Sequence, residues 1–159
     1  MKAVAIELTL NGRPEAIEVQ PNSLMLDVIR DQFGLTGAKR SCDAQVCGAC
    51  TILMDRLPVS ACTTLAAEMD GAEILTIEGL AAPDGQLHPL QRSFVEMGGL
   101  QCGFCTPGFV LTAHALIEDG VTGETALMEG LEGNICRCTG YRKIIEAVTA
   151  AAGEVARRD

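Results

Sequence analysis

Eight cysteines fall into two separated sets of four, and no other feature of the 159-residue sequence constrains the fold as strongly. The first set is Cys42-x4-Cys47-x2-Cys50, then eleven residues, then Cys62. The second is Cys102-x2-Cys105, then thirty residues, then Cys136-x-Cys138. The two sets fall on either side of a turn-rich stretch, so each of two small domains receives four cysteines. Cys47 and Cys50 bracket Gly48-Ala49, whose small side chains let the backbone wrap closely and aim N–H groups at sulfur. Gly34 and Gly37 permit the turn into this loop. Cys102-Gly103-Phe104-Cys105 leads into Thr106-Pro107, a predicted helix start whose positive end favours an anionic group. Cys136 and Cys138 flank Arg137 just before another predicted helix.

The two halves differ in hydrophobic period. Val4, Ile6, Leu8 and Leu10 alternate with Ala5, Glu7 and Thr9, Asn11-Gly12 is a hairpin turn, and Ile17 and Val19 resume the alternation. Pro21-Asn22-Ser23 offers an N-cap for a helix over 24–33, with Gly34 as its stop. Further strands are expected at Thr51 to Met54, Pro58 to Ala61 and Ile74 to Ile77. The turn-rich stretch Gly79-Leu80-Ala81-Ala82-Pro83-Asp84-Gly85 reads as a linker.

Beyond the linker the pattern is helical. Helices are expected from His88-Pro89 to about Met97, and from Thr106 with Phe109, Val110, Ala113, Leu116 and Ile117 on one stripe. A short one should begin near Thr122, and a last one at Thr139 or Gly140 with Ile144, Ile145, Val148 and Ala151 buried. The fold class is therefore α+β: a β-grasp domain over 1–79, then an all-α four-helix domain over 80–159. His88 reads as a helix-start residue and His114 as a helix-surface or core histidine.

Four thiolates are what one [2Fe–2S] cluster needs, and the opening of the first set has the plant-type ferredoxin spacing. The expected ligands are Cys42, Cys47, Cys50 and Cys62 for one cluster and Cys102, Cys105, Cys136 and Cys138 for the other. A disulfide framework needs an oxidising compartment, and a bridge within Cys136-x-Cys138 would be strained. Zinc is the main rival, but four-cysteine zinc sites use two short pairs, and the first set groups three cysteines against one.

Net charge is −9, and the basic residues form only the pairs Lys39-Arg40, Arg142-Lys143 and Arg157-Arg158, which argues against nucleic-acid binding. No run approaches the roughly 18 apolar residues of a membrane span. The first residues carry neither a signal-peptide apolar stretch nor a twin arginine, so a cytoplasmic protein is expected.

Four motifs carry a family resemblance. They are Thr36-Gly37-Ala38-Lys39-Arg40-Ser41-Cys42, Cys47-Gly48-Ala49-Cys50-Thr51, Gln101-Cys102-Gly103-Phe104-Cys105-Thr106-Pro107-Gly108 and Gly133-Asn134-Ile135-Cys136-Arg137-Cys138-Thr139-Gly140-Tyr141. Over nearly its whole length the chain resembles the small iron–sulfur subunit of the molybdenum hydroxylases, a family that includes xanthine, aldehyde and aerobic carbon monoxide dehydrogenases. The resemblance implies a large subunit carrying molybdopterin as its cytosine dinucleotide and a medium subunit carrying FAD, assembled as a dimer of heterotrimers. It implies that Gln101 and Cys138 lie against the pterin. Electrons would pass from molybdenum to the helical-domain cluster, then to the β-grasp cluster, then to FAD or another acceptor.

Two departures stand out. Asp55-Arg56-Leu57 lacks the glycine usual in that hairpin turn, so a different turn type is expected, and Gln45-Val46 makes the first cysteine loop individual. No residue reads as a catalytic acid, base or nucleophile. The competing readings are a free-standing two-cluster ferredoxin and a zinc-binding structural or interaction module.

Overall fold

The computed structural model describes residues 2–156. The Arg157-Arg158 pair and the outermost ends of the two expected domains lie outside the described residues.

The alternating N-terminal pattern forms β1 (Val4–Leu10) and β2 (Arg13–Val19), an antiparallel hairpin in which Ile6 faces Ile17. β3 (Thr51–Met54) pairs with β4 (Leu57–Ser60), and β5 (Glu73–Leu75) inserts between β1 and β3. The order is β2-β1-β5-β3-β4, with β5 parallel to β1. This is a β-grasp sheet. Ile6, Leu8, Leu10, Ile52 and Ile74 form its buried face, covered by Met25, Leu26 and Ile29. Cys50 and Cys62 belong to the same core.

The helix expected over 24–33 is shorter and of mixed pitch. α1 spans Met25–Asp27 and continues as a π-helical turn over Val28–Gln32. Leu24 stays extended because its backbone bridges to Leu65, so Ser23 makes no side-chain cap. The last strand also stops early. Thr76 donates its N–H to the Asn11 side chain at 2.8 Å and leaves the ladder, and Ile77–Gly79 tightens into a 3-10 turn.

The Asp55-Arg56 turn corrects an expectation. Both residues have positive φ, 48° and 71°, which is the left-handed geometry of a type I′ hairpin turn. The pairing of Met54 with Leu57 imposes that geometry without glycine.

Downstream lie α2 (Pro89–Glu96), α3 (Thr106–Glu118), α4 (Glu124–Gly130) and α5 (Arg142–Val155). His88 caps α2 with a reciprocal capping box: its Nδ1 accepts the Leu90 N–H and Gln91 Oε1 accepts the His88 N–H. The last helix begins at Arg142, later than Thr139 or Gly140, because Tyr141 is left-handed (φ 68°) and Thr139 is bonded to a cysteine. Phe94, Phe109, Leu127, Ile144 and Val148 fill this second core. Leu111 and Ala115 of α3 pack on Leu53 of β3, which joins the sheet to the helices. No helix among the described residues is long and apolar enough to cross a membrane.

Candidate metal centres

Each cysteine set folds into two pairs, one on the surface side and one in a core. In the first set Cys42 contacts Cys47, and buried Cys50 contacts buried Cys62. In the second, Cys138 Sγ lies 3.5 Å from Cys102 Sγ, both residues exposed, while Cys105 contacts buried Cys136. Among the described residues no three His, Cys, Asp or Glu side chains converge closely enough to hold a single ion. Paired thiols suit a two-iron cluster, in which each iron takes two thiolates, and do not suit one tetrahedral zinc.

The electrostatics follow the pairing. Backbone N–H groups of Val46 (3.4 Å) and Ala44 (3.5 Å) point at Cys42 Sγ and pull its thiol down from 9.0 to about 6. Positive φ at Asp43 (51°) and Gln45 (57°) aims those two donors. Arg40 braces the loop, bridging Asp43 and Asp27. Burial instead pushes Cys50 up to about 11 and Cys105 up to about 12. Burial is the largest influence on Cys136 and would raise it, but the Thr139 hydroxyl and N–H, the Cys138 N–H and the Cys105 thiol together hold the thiol low.

Helix α3 starts immediately after Cys105, its N-cap residue, so the helix N-terminus adjoins the second set. All four cysteines of that set line an open cavity of about 280 Å³, and Cys47 and Ala49 of the first loop line the same cavity. Gln101, adjoining Cys102, is exposed at this edge, as is Cys138. Leu100, Phe104 and Ile135 are exposed apolar residues nearby in the chain.

The contact between the two loops has no sequence signal of its own. Ile135 donates its N–H to the Cys47 carbonyl at 2.9 Å, and buried Asn134 donates from Nδ2 to the Gly48 carbonyl at 3.4 Å. Gly108, in the first turn of α3, is the third partner: a Cβ there would stand 2.0 Å from the Gly48 oxygen. Cys47 and Cys136 are thus linked by one hydrogen bond and one peptide unit.

Two cysteine-lined sites, one on a β-grasp sheet and one on a helical bundle, define a two-centre [2Fe–2S] protein. The family described as "2Fe-2S iron-sulfur cluster binding domain" matches residues 8–76, and "[2Fe-2S] binding domain" matches residues 76–149. The chain is 46% identical over 153 residues to the 6-hydroxypseudooxynicotine dehydrogenase complex subunit beta of Paenarthrobacter nicotinovorans, covering 95% of each. It is 40% identical over 166 residues to the aldehyde oxidoreductase iron-sulfur-binding subunit of Escherichia coli strain K12, covering 94% of this chain and 72% of that one. Among solved structures it superposes on quinoline 2-oxidoreductase from Pseudomonas putida 86 with a TM-score of 0.92 at 43% identity, over 99% and 98% of the two chains. The chain belongs to the family of small iron–sulfur subunits of the molybdenum hydroxylases.

Proposed function

We propose that this chain is the electron-transfer subunit of a heteromeric molybdenum hydroxylase. Cys42, Cys47, Cys50 and Cys62 hold the β-grasp cluster, and Cys102, Cys105, Cys136 and Cys138 hold the helical-domain cluster. When bound, the clusters supply one-electron redox chemistry. The chain itself fixes their spacing, sets one thiol pair of each against a core and leaves the other pair nearer the surface.

The observation that carries this reading is the Ile135 N–H bond to the Cys47 carbonyl. It joins the core pair of one site to the surface pair of the other through protein rather than water. A free shuttle with independent sites has no need of that coupling. The pairing of Cys42 with Cys47, Cys50 with Cys62, Cys102 with Cys138 and Cys105 with Cys136 favours iron–sulfur clusters over a zinc module.

In this reading the exposed Cys102–Cys138 edge meets the large subunit, and Gln101 and Cys138 contact its molybdopterin, bound as the cytosine dinucleotide. The loop from Cys42 to Cys47, with Val46 59% exposed, meets the medium subunit and its FAD. The assembly is a dimer of heterotrimers in the cytoplasm. The domain boundary falls at 79/80, and the buried members of the two main hydrophobic clusters, which lie within 6–74 and 90–152, support it.

Metal analysis and copurification test the proposal. About four irons and four acid-labile sulfides per chain, with large and medium partner chains retained, are expected. Zinc without sulfide, or a chain that purifies alone with full cluster content, would overturn it.

A further inference from the structure

The segment from Cys136 to Tyr141 closes on itself through four hydrogen bonds. Cys136 donates its backbone N–H to Tyr141 Oη at 3.1 Å. Tyr141 donates its backbone N–H to Thr139 Oγ1 at 3.1 Å. Thr139 donates its hydroxyl proton to Cys136 Sγ at 3.1 Å, and its backbone N–H adds a second bond to that sulfur at 3.4 Å.

Each link restricts the next. A hydroxyl has one proton and two acceptor lone pairs. With the Tyr141 N–H held at the oxygen, the Thr139 proton is left for the sulfur. Tyr141 itself stands in a left-handed conformation, φ 68°, which disfavours a residue with a Cβ. Its phenol bond to Cys136 and its edge-to-face contact with Phe109, at 6.2 Å between ring centres, hold it there. Among the described residues no other cysteine sulfur receives a hydroxyl hydrogen bond; Cys42 is served by backbone N–H groups and the neighbouring Cys47 thiol.

We propose that Thr139 is a positioning residue that raises the reduction potential of the helical-domain cluster through its hydroxyl bond to Cys136, with Tyr141 orienting that hydroxyl. The inference rests on the ligand assignment proposed above. Uptake of one electron adds one negative charge to the site, and no bond forms or breaks. A proton donor on a ligand sulfur stabilises the more negative form, so it moves the potential upward. Cys136 is 7% exposed, and at such a site a hydrogen bond is less screened than at the surface. The partial burial of this donor–acceptor pair therefore makes Thr139 a stronger lever than an exposed hydroxyl would be.

The test is a redox titration of the assembled complex, following the two clusters by their separate EPR signals. Thr139→Val keeps the shape and removes the donor. It should lower the midpoint of the helical-domain cluster, leave the β-grasp cluster unchanged and retain wild-type iron and sulfide. Thr139→Ser should return the midpoint to the wild-type value. An unchanged midpoint in Thr139→Val, or a shift that Thr139→Ser fails to reverse, would overturn the inference. Thr139→Ala covers the case in which valine does not fit. Loss of the cluster from both Val and Ala variants would assign the hydroxyl to cluster retention instead of tuning, and would likewise overturn it. Wild-type complex lacking two clusters would defeat the ligand assignment itself, a result distinct from any behaviour of the variants.

Discussion

The two cysteine loops supply hydrogen-bond donors to sulfur from different parts of the chain. Around Cys42 the donors are backbone N–H groups, brought to bear by left-handed Asp43 and Gln45 and braced by Arg40. Around Cys136 a side-chain hydroxyl shares the task, and Tyr141 is the one non-glycine residue with positive φ described in that half. Left-handed backbone costs up to about 1–2 kcal/mol per residue, and less for Asp. Backbone donors therefore carry a conformational cost but survive most side-chain substitutions. A side-chain donor needs less strain and is lost with one substitution. The first loop should tolerate sequence change better than the second.

The largest expected effect separates the two sites outright. Cys105→Ser should remove the helical-domain cluster, lower iron from about four per chain to about two, and stop electron flow from the molybdenum side. The β-grasp EPR signal should persist. Loss of both signals would show that the sites are not independent in assembly.

Gly108→Ala attacks the seam between the loops. Its Cβ would stand 2.0 Å from the Gly48 oxygen, where the obstacle is backbone and cannot rotate away. Overpacking of this kind costs about 1–3 kcal/mol, to be read from chemical denaturation. Electron transfer between the clusters should slow, with both clusters still present.

Thiol chemistry compares the loops directly in the iron-free chain. At pH 7 Cys42, at about 6, is mostly thiolate, whereas Cys105, at about 12, is protonated. Iodoacetamide should modify Cys42 at least about tenfold faster than Cys105, since the thiolate is the nucleophile. Equal labelling in the folded chain would remove this contrast. The linkage signs are opposite. Stabilisation from Cys42 is present above pH 9 and is lost as pH falls through about 6, while that from neutral Cys105 is present below pH 9 and is lost as pH rises towards 12.

The smallest effect sharpens the strain argument. Arg56→Gly should stabilise the β3–β4 hairpin, because Arg56 sits at φ 71° and its ion pair with Glu118, at 3.6 Å, is mostly exposed. A gain of about 0.5–1 kcal/mol is expected in thermal denaturation. A loss would mean that the Arg56–Glu118 contact holds the sheet to α3 more firmly than exposed pairs usually do.

Much of this was legible before the tertiary structure. Alternation in 4–10 made β1, because a period of two buries one face of a strand. Pro107 marked the start of α3, and His88-Pro89 the start of α2. The segment over 24–33 was less legible, since its helical periodicity did not reveal the bridge from Leu24 to Leu65 that delays the helix. Thr139 looked like a helix start for a related reason. Threonine is as suited to capping a helix as to bonding a sulfur, and only the folded position of Cys136 decides between them.

The sequence by itself determined the number and grouping of the cysteines, because ligand spacing and turn chemistry are local properties of the chain. Tertiary structure alone decided the pairing of thiols within each set, the 2.9 Å bond from Ile135 to Cys47, and the need for glycine at both 48 and 108. Those features depend on residues far apart in sequence meeting at van der Waals distance. No local pattern encodes such a meeting. It follows from packing α3 on β3, where Leu53, Leu111 and Ala115 share a core.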